Sequence, residues 1–153
     1  MDIVDLDAGH VGPYRCRKPR FERDCVTVDA DDLMAQACAA DRAPSKGPLH
    51  GLPIAVKDLA NLAGLPMSMG SPVFAGKISK TTDIAVQRML DAGAIVVGKT
   101  NTPEFGLDSH TYTPVLWATC NYYDHTRSAG GSSGGAAVGF AAGMISLADT
   151  PEC

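Results

Sequence analysis

Two short, wholly apolar runs constrain this chain more than any other feature. Ile54-Ala55-Val56 and Ala94-Ile95-Val96-Val97 contain no polar residue. The longer run reads as a strand buried on both faces and the shorter as another buried strand. Between them, Thr82-Asp83 caps a helix with Ile84, Val86, Met89 and Leu90 as its apolar positions, and Gly93 stops it. Strand, helix, strand in that order predicts an α/β fold: a mixed, partly parallel sheet flanked by helices.

The rest of the chain is read around that unit. A helix is predicted over residues 31–40, where Leu33, Ala37 and Ala40 recur at helical spacing. Asp29, Asp31 and Asp32 stand at its start, where negative charge suits the positive end of the helix dipole. The strand through Val56 is expected to end near Lys57-Asp58. Residues 64–76, rich in Gly, Pro and Ser, read as irregular, and Thr102-Pro103-Glu104 as a short helix start. Residues 107–128 are polar and aromatic and read as a long surface loop. Ser132-Ser133-Gly134-Gly135 leads into a small-residue helix over 136–142, ended by Gly143, with a last strand at 144–148. Residues 1–25 show no period and are expected to form an irregular N-terminal arm ahead of one domain over 26–153. No internal repeat is visible.

Composition closes off several classes of function. Apolar residues are 45% and charged residues 20%, ordinary values that exclude a disordered acidic tail, a collagen or a coiled coil. Lys and Arg number 13 against 17 Asp and Glu, a net charge of -4, so no nucleic-acid partner is expected. Arg15, Arg17, Lys18, Arg20 and Arg23 cluster locally, but Glu22 and Asp24 dilute them, and Tyr14 with Phe21 is too little for a stacking platform. Residues 128–148 carry no charge, yet six glycines and four serines interrupt them, so their second half reads as core and no membrane partner is expected. The start Met1-Asp2-Ile3-Val4-Asp5 lacks the basic and apolar regions of a signal peptide. Cys16, Cys25, Cys38, Cys120 and Cys153 form no CxxC pair, so neither a zinc site nor a disulfide framework is supported. Reduced thiols in a cytoplasmic protein are expected.

Two places can carry chemistry. Lys57 ends an otherwise apolar strand. If half-buried there, its ammonium is disfavoured and the amine can serve as a base; a lysine at a strand end equally snorkels to solvent. The second place is Gly130-Gly131-Ser132-Ser133-Gly134-Gly135, which opens a helix. Glycines allow close approach of a substrate, and helix-start N–H groups favour negative charge. This reads as a serine-centred acyl-transfer or anion site, or as a helix N-cap with a flexible lead-in. It is not a P-loop, because no Lys-[Ser/Thr] follows the glycines, nor a Gly-x-Ser-x-Gly elbow.

Three blocks together resemble the amidase signature family. They are Gly47-Pro48-Leu49-His50-Gly51-Leu52-Pro53-Ile54-Ala55-Val56-Lys57-Asp58, the stretch from Ala92-Gly93-Ala94 through Gly98-Lys99-Thr100-Asn101-Thr102-Pro103-Glu104-Phe105-Gly106, and Arg127-Ser128-Ala129-Gly130-Gly131-Ser132-Ser133-Gly134-Gly135. Their order and spacing fit, and the likeness runs over residues 26–149. The resemblance implies a Ser-cisSer-Lys triad in which Lys57 is the base and Ser132, joined to Gly131 by a cis peptide bond, relays the proton. It implies that Gly131 and Ser133 shape the loop beside the substrate and that Met69 and Ser71 contribute to the substrate pocket. Ser133 itself is expected to have no base of its own. Such a triad needs no histidine, so His10, His50, His110 and His125 are left without a catalytic part.

The family's nucleophilic serine stands further along, in a Gly-Ser-x-Arg context. Leu147-Ala148-Asp149 resembles the approach to that segment, whereas Thr150-Pro151-Glu152-Cys153 does not continue it. The resemblance therefore implies an incomplete part of the amidase signature fold. It lacks the nucleophile and the oxyanion-hole N–H groups beside it, and is expected to be inactive alone. Complete, it would cleave the C–N bond of a small-molecule carboxamide with no metal or organic cofactor. The other reading is a non-catalytic remnant or a binding module. Either way, the strand over 94–97 and the small-residue helix are expected to leave core exposed and to favour self-association.

Overall fold

The structure is a computed structural model that describes residues 28–149 in full and the strand backbone of His10–Val11, Tyr14–Arg17 and Cys25–Thr27. The basic side chains of the N-terminal cluster, and Cys153, lie outside the described residues.

In chain order the elements are β1 (His10–Val11), β2 (Tyr14–Arg17), β3 (Cys25–Thr27), α1 (Ala30–Arg42), β4 (Pro53–Lys57), α2 (Ile84–Asp91), β5 (Ile95–Thr100), β6 (Tyr112–Thr113), β7 (Trp117–Thr119), α3 (Gly134–Ala141) and β8 (Leu147–Ala148). One four-stranded sheet runs β3-β5-β4-β8 and the other β1-β2-β7-β6. In the first, β4 lies parallel to both β5 and β8, and β3 runs antiparallel to β5. The predicted α/β architecture with a partly parallel sheet is what forms.

Residue chemistry accounts for the elements. Asp29 caps α1 by accepting from the N–H groups of Asp31 (2.9 Å) and Asp32 (3.3 Å). Leu33, Ala37 and Ala40 are its half-buried side, as the spacing predicts. Asp83 stands at the N-cap of α2, but its side chain makes no cap bond. Its carboxylate instead accepts from Asn61 N (2.9 Å) and Nδ2 (3.2 Å), tying the helix to the preceding loop. Ile54, Val56, Ala60, Val86, Ala94 and Val96 form one buried cluster, with Leu49, Leu62, Leu65, Met89 and Leu90 packed around it. Strand alternation therefore points Ile54 and Val56 toward α2, and Ala55 and Lys57 toward the opposite face.

Several expectations are corrected. β5 extends past the apolar run to Thr100, because Lys99 and Thr100 are also fully buried. Residues 107–128 are not a plain surface loop. They contain the β6–β7 hairpin and bury Thr111, Thr113, Ala118, Thr119 and Cys120. The last strand shrinks to Leu147–Ala148. Within the N-terminal region expected to be irregular, β2 pairs parallel with β7, Cys16 opposite Ala118 and Arg17 opposite Thr119.

Candidate active site

The last residue of β4 is Lys57, and it is completely buried. Its register partner on β5 is Thr100, so both side chains leave the sheet on the same face. Asp149, just past β8, accepts a hydrogen bond from the Lys57 backbone N–H. The carboxyl ends of β4, β5 and β8 thus meet at one edge.

A loop comes to that edge from the other side. Residues 130–133 lead into α3, and the peptide bond between Gly131 and Ser132 is cis. Lys57 Nζ lies 2.7 Å from Ser132 Oγ and 3.0 Å from Ser133 Oγ. Both serines are half-buried. Ser133 thus shares the amine of Ser132 and has no separate base. Ser133 lies outside the helical region (φ -104, ψ 31), and its hydroxyl makes no cap bond. It therefore faces the same amine as its neighbour.

The loop's height above the sheet is set by contacts that leave no room for side chains. Thr102 Oγ1 donates to the Ser132 carbonyl at 3.2 Å. Gly135 N donates to Asn101 O at 3.3 Å, and a Cβ on Gly135 would lie 2.4 Å from Asn101 N. Asn101 is itself fully buried, with Nδ2 donating to Thr119 Oγ1 (2.9 Å) and to Trp117 O (3.2 Å). Asn101 carries no apolar or helical pattern and Thr102 only that of a short helix start, so their place in the second family-like block is the signal that could have singled them out.

On the sheet's other face a second lysine is buried. Lys99 donates to Ala60 O and lies 3.8 Å from Asp58 Oδ1. Asp58 also accepts from Ser68, through its N–H (3.1 Å to Oδ1) and its hydroxyl. Burial pulls the Lys99 ammonium below its ordinary range, against the opposing charges of Asp58, Asp149 and Asp83. Burial also raises the Asp149 carboxyl, opposed by the Lys57 N–H and by the charges of Lys99 and Lys57.

The predicted pocket residues fall beside this network. Met69 is half-buried with φ 53, and its N–H donates to Asp58 O at 3.1 Å. Its carbonyl accepts from Phe105 N at 2.8 Å. Gly70, at φ +66, packs so closely that a Cβ would lie 2.9 Å from Thr102 O. Ser71 is fully buried, with its hydroxyl accepting from Val73 N at 3.3 Å. Ser71 is thus turned inward, while Met69 keeps partial access. His50 uses both ring nitrogens, toward Ala40 O (3.0 Å) and Lys46 N (3.3 Å). No cluster of three or more His, Cys, Asp or Glu among the described residues is arranged to hold a metal ion. No helix among them is long and apolar enough to cross a membrane.

A family model described as Amidase matches residues 20–149. The chain belongs to the amidase family. Its curated relatives include a glutamyl-tRNA(Gln) amidotransferase subunit of Methanosarcina acetivorans, 42% identical over 123 residues, which cover 80% of this chain and 26% of that protein. An acylamidase of Rhodococcus erythropolis is 42% identical over 134 residues, or 85% of this chain and 27% of the relative. Among solved structures, the peptide amidase of Stenotrophomonas maltophilia aligns with a TM-score of 0.72 and 36% identity, over 82% of this chain and 27% of that one. This amidase-family chain thus spans about a quarter of the length of these relatives. Every residue described above from Lys57 to Asp149 falls inside the matched region.

Proposed function

We propose that this chain carries the base and relay of a Ser-cisSer-Lys site that hydrolyses carboxamides. The observation that carries the reading is the 2.7 Å separation of Lys57 Nζ and Ser132 Oγ at the carboxyl edge of a parallel sheet, where α/β folds place their ligands. In this reading Lys57 holds a neutral amine that accepts the Ser132 proton. Ser132 accepts the proton of a second serine, whose oxygen attacks the amide carbon. Collapse of the tetrahedral intermediate breaks the C–N bond, and the leaving nitrogen takes the proton back through Ser132. Water then hydrolyses the acyl-enzyme by the same route. Ser133, on the same amine, stabilises the relay, and Gly131 lets the loop pack against residues 108–110, where a Cβ would lie 2.7 Å from Asp108 O. The Met69–Gly70–Ser71 turn walls the pocket through its backbone and the Met69 side chain.

None of the 21 residues that follow Ser132 here forms the Gly-Ser-x-Arg context in which the family's nucleophile stands. The nucleophile and oxyanion donors must come from other residues, whether on a longer polypeptide or a partner chain. The 153-residue chain by itself is then inert. It is expected to hydrolyse no simple amide and to take up no serine-directed fluorophosphonate, read by intact mass. Stoichiometric labelling of Ser132 or Ser133 overturns that assignment. Replacing Ser132 with Ala should move the side-chain NMR resonances of Lys57; unchanged resonances would remove the base–relay pair from the reading.

A further inference from the structure

We propose that Thr111 is a positioning residue for the Lys57–Ser132 pair, its single hydroxyl clasping both ends of the loop that carries Ser132 and Ser133. The inference rests on the function proposed above. Thr111 is fully buried. Its hydroxyl donates to Gly130 O at 3.1 Å and accepts from Gly134 N at 3.1 Å. Those two groups bracket Gly131, Ser132 and Ser133. One side chain thus fixes the entry and the exit of the three residues that place both hydroxyls on Lys57.

The surrounding backbone delivers Thr111 to that spot. Thr111 N donates to Ala129 O at 3.0 Å, and Gly131 N donates to Ser109 O at 2.7 Å, so residues 109–111 run alongside the start of the loop. Thr119 N donates to Thr111 O at 3.0 Å, fastening the same segment to β7. Gly134 is required at the exit, since a Cβ there would come within 2.2 Å of Thr111 Oγ1. A hydroxyl offers one donor and an acceptor in one atom. Valine matches threonine in shape but offers neither, which separates the hydroxyl's part from that of its volume.

The test uses the 153-residue chain with isotope-labelled lysine and reads the Lys57 side-chain resonances and their pH titration. Asp149, whose carboxylate interacts with Lys57, and Asp58, next to it in the chain, stay unchanged in every variant. Thr111→Val is expected to shift the Lys57 resonances and midpoint in the same direction as Ser132→Ala, by a smaller amount, and Thr111→Ser to restore them. If valine does not fold, Thr111→Cys, which keeps a weak donor and acceptor, should shift them part-way. Val86→Ala, in the core on the other side of the sheet, should lower stability and leave Lys57 where it was. Wild-type Lys57 resonances in Thr111→Val, or no restoration by serine, would overturn the clasp. Lys57 resonances indifferent to Ser132→Ala would overturn instead the base–relay reading beneath it.

Discussion

Replacing Gly135 with Ala is the sharpest probe of how the serine loop is seated. The new Cβ would lie 2.4 Å from Asn101 N, 2.6 Å from Asn101 O and 2.9 Å from Asn101 Cα. All three are backbone atoms of a buried residue, so no side chain can swing aside. Overpacking of this kind costs about 1–3 kcal/mol. The hydrogen bond from Gly135 N to Asn101 O, 3.3 Å long, is strained with it, adding about 0.5–1.5 kcal/mol. Against this stands the helix propensity of alanine over glycine, about 1 kcal/mol. The clash dominates, leaving a net loss near 2 kcal/mol, or roughly 4–8 °C in Tm for a chain of this size. Thermal melting followed by circular dichroism reads it. Gly130 is the control, because a Cβ there meets nothing within 4 Å, and Gly130→Ala should stay within about 0.5 kcal/mol of wild type. A Gly135→Ala variant that melts at or above the wild-type temperature refutes the argument that α3 is seated on Asn101.

Lys99→Met should cost about 3–5 kcal/mol in urea denaturation, because it leaves the Asp58 carboxylate buried without its counter-charge. Adding Asp58→Asn should recover part of that loss, and purely additive losses would count against the pair. Burial raises the Asp149 carboxyl above its ordinary 3.8, so the folded chain retains a proton that the unfolded chain has released. That contribution is complete below 3.8 and fades as pH climbs through the raised folded value. Asp149→Asn should therefore gain stability relative to wild type as pH rises through this window; curves that stay parallel would contradict it. Phe140 is 63% exposed on an otherwise apolar α3, and Leu147 is exposed on the edge strand β8. Self-association is expected in analytical ultracentrifugation, relieved by Phe140→Glu, and a wild-type monomer at all loading concentrations argues against it.

The legible parts of the fold are those where burial coincides with apolar side chains. Ile54, Val56 and the run at 94–97 announce β4 and β5, and Val86 with Met89 and Leu90 announces α2. Burial by polar residues is silent. Lys99 and Thr100 continue β5 because Ala60 O and Asp58 receive the ammonium, and an apolar pattern cannot register such partners. The β6–β7 hairpin is hidden for the same reason, since Thr111, Thr113 and Thr119 fill its inner positions. At the site, Lys57 is marked by its place at the end of an apolar strand and Ser132 by the glycine-rich helix start, while their roles as base and relay come from the family resemblance. Ser133 is named with them, but its contact with Lys57 is not legible, because consecutive residues on a helix point about 100° apart and Ser133 precedes the helical region. Thr111 has no signal at all, because its partners are backbone atoms brought close only by folding.

The parallel pairing of β4 with β5 and β8 divides this domain into two territories. Lys57, Thr100 and Asp149 all terminate or follow their strands at the same rim, while Ile54, Val86 and Ala94 occupy the opposite depth. Repacking the lower half would alter how firmly the scaffold stands without touching Lys57 or its serine partners. Variation along the rim and its loops would instead alter the surroundings of Lys57 on an unchanged frame. Change in either territory thus leaves the packing of the other intact.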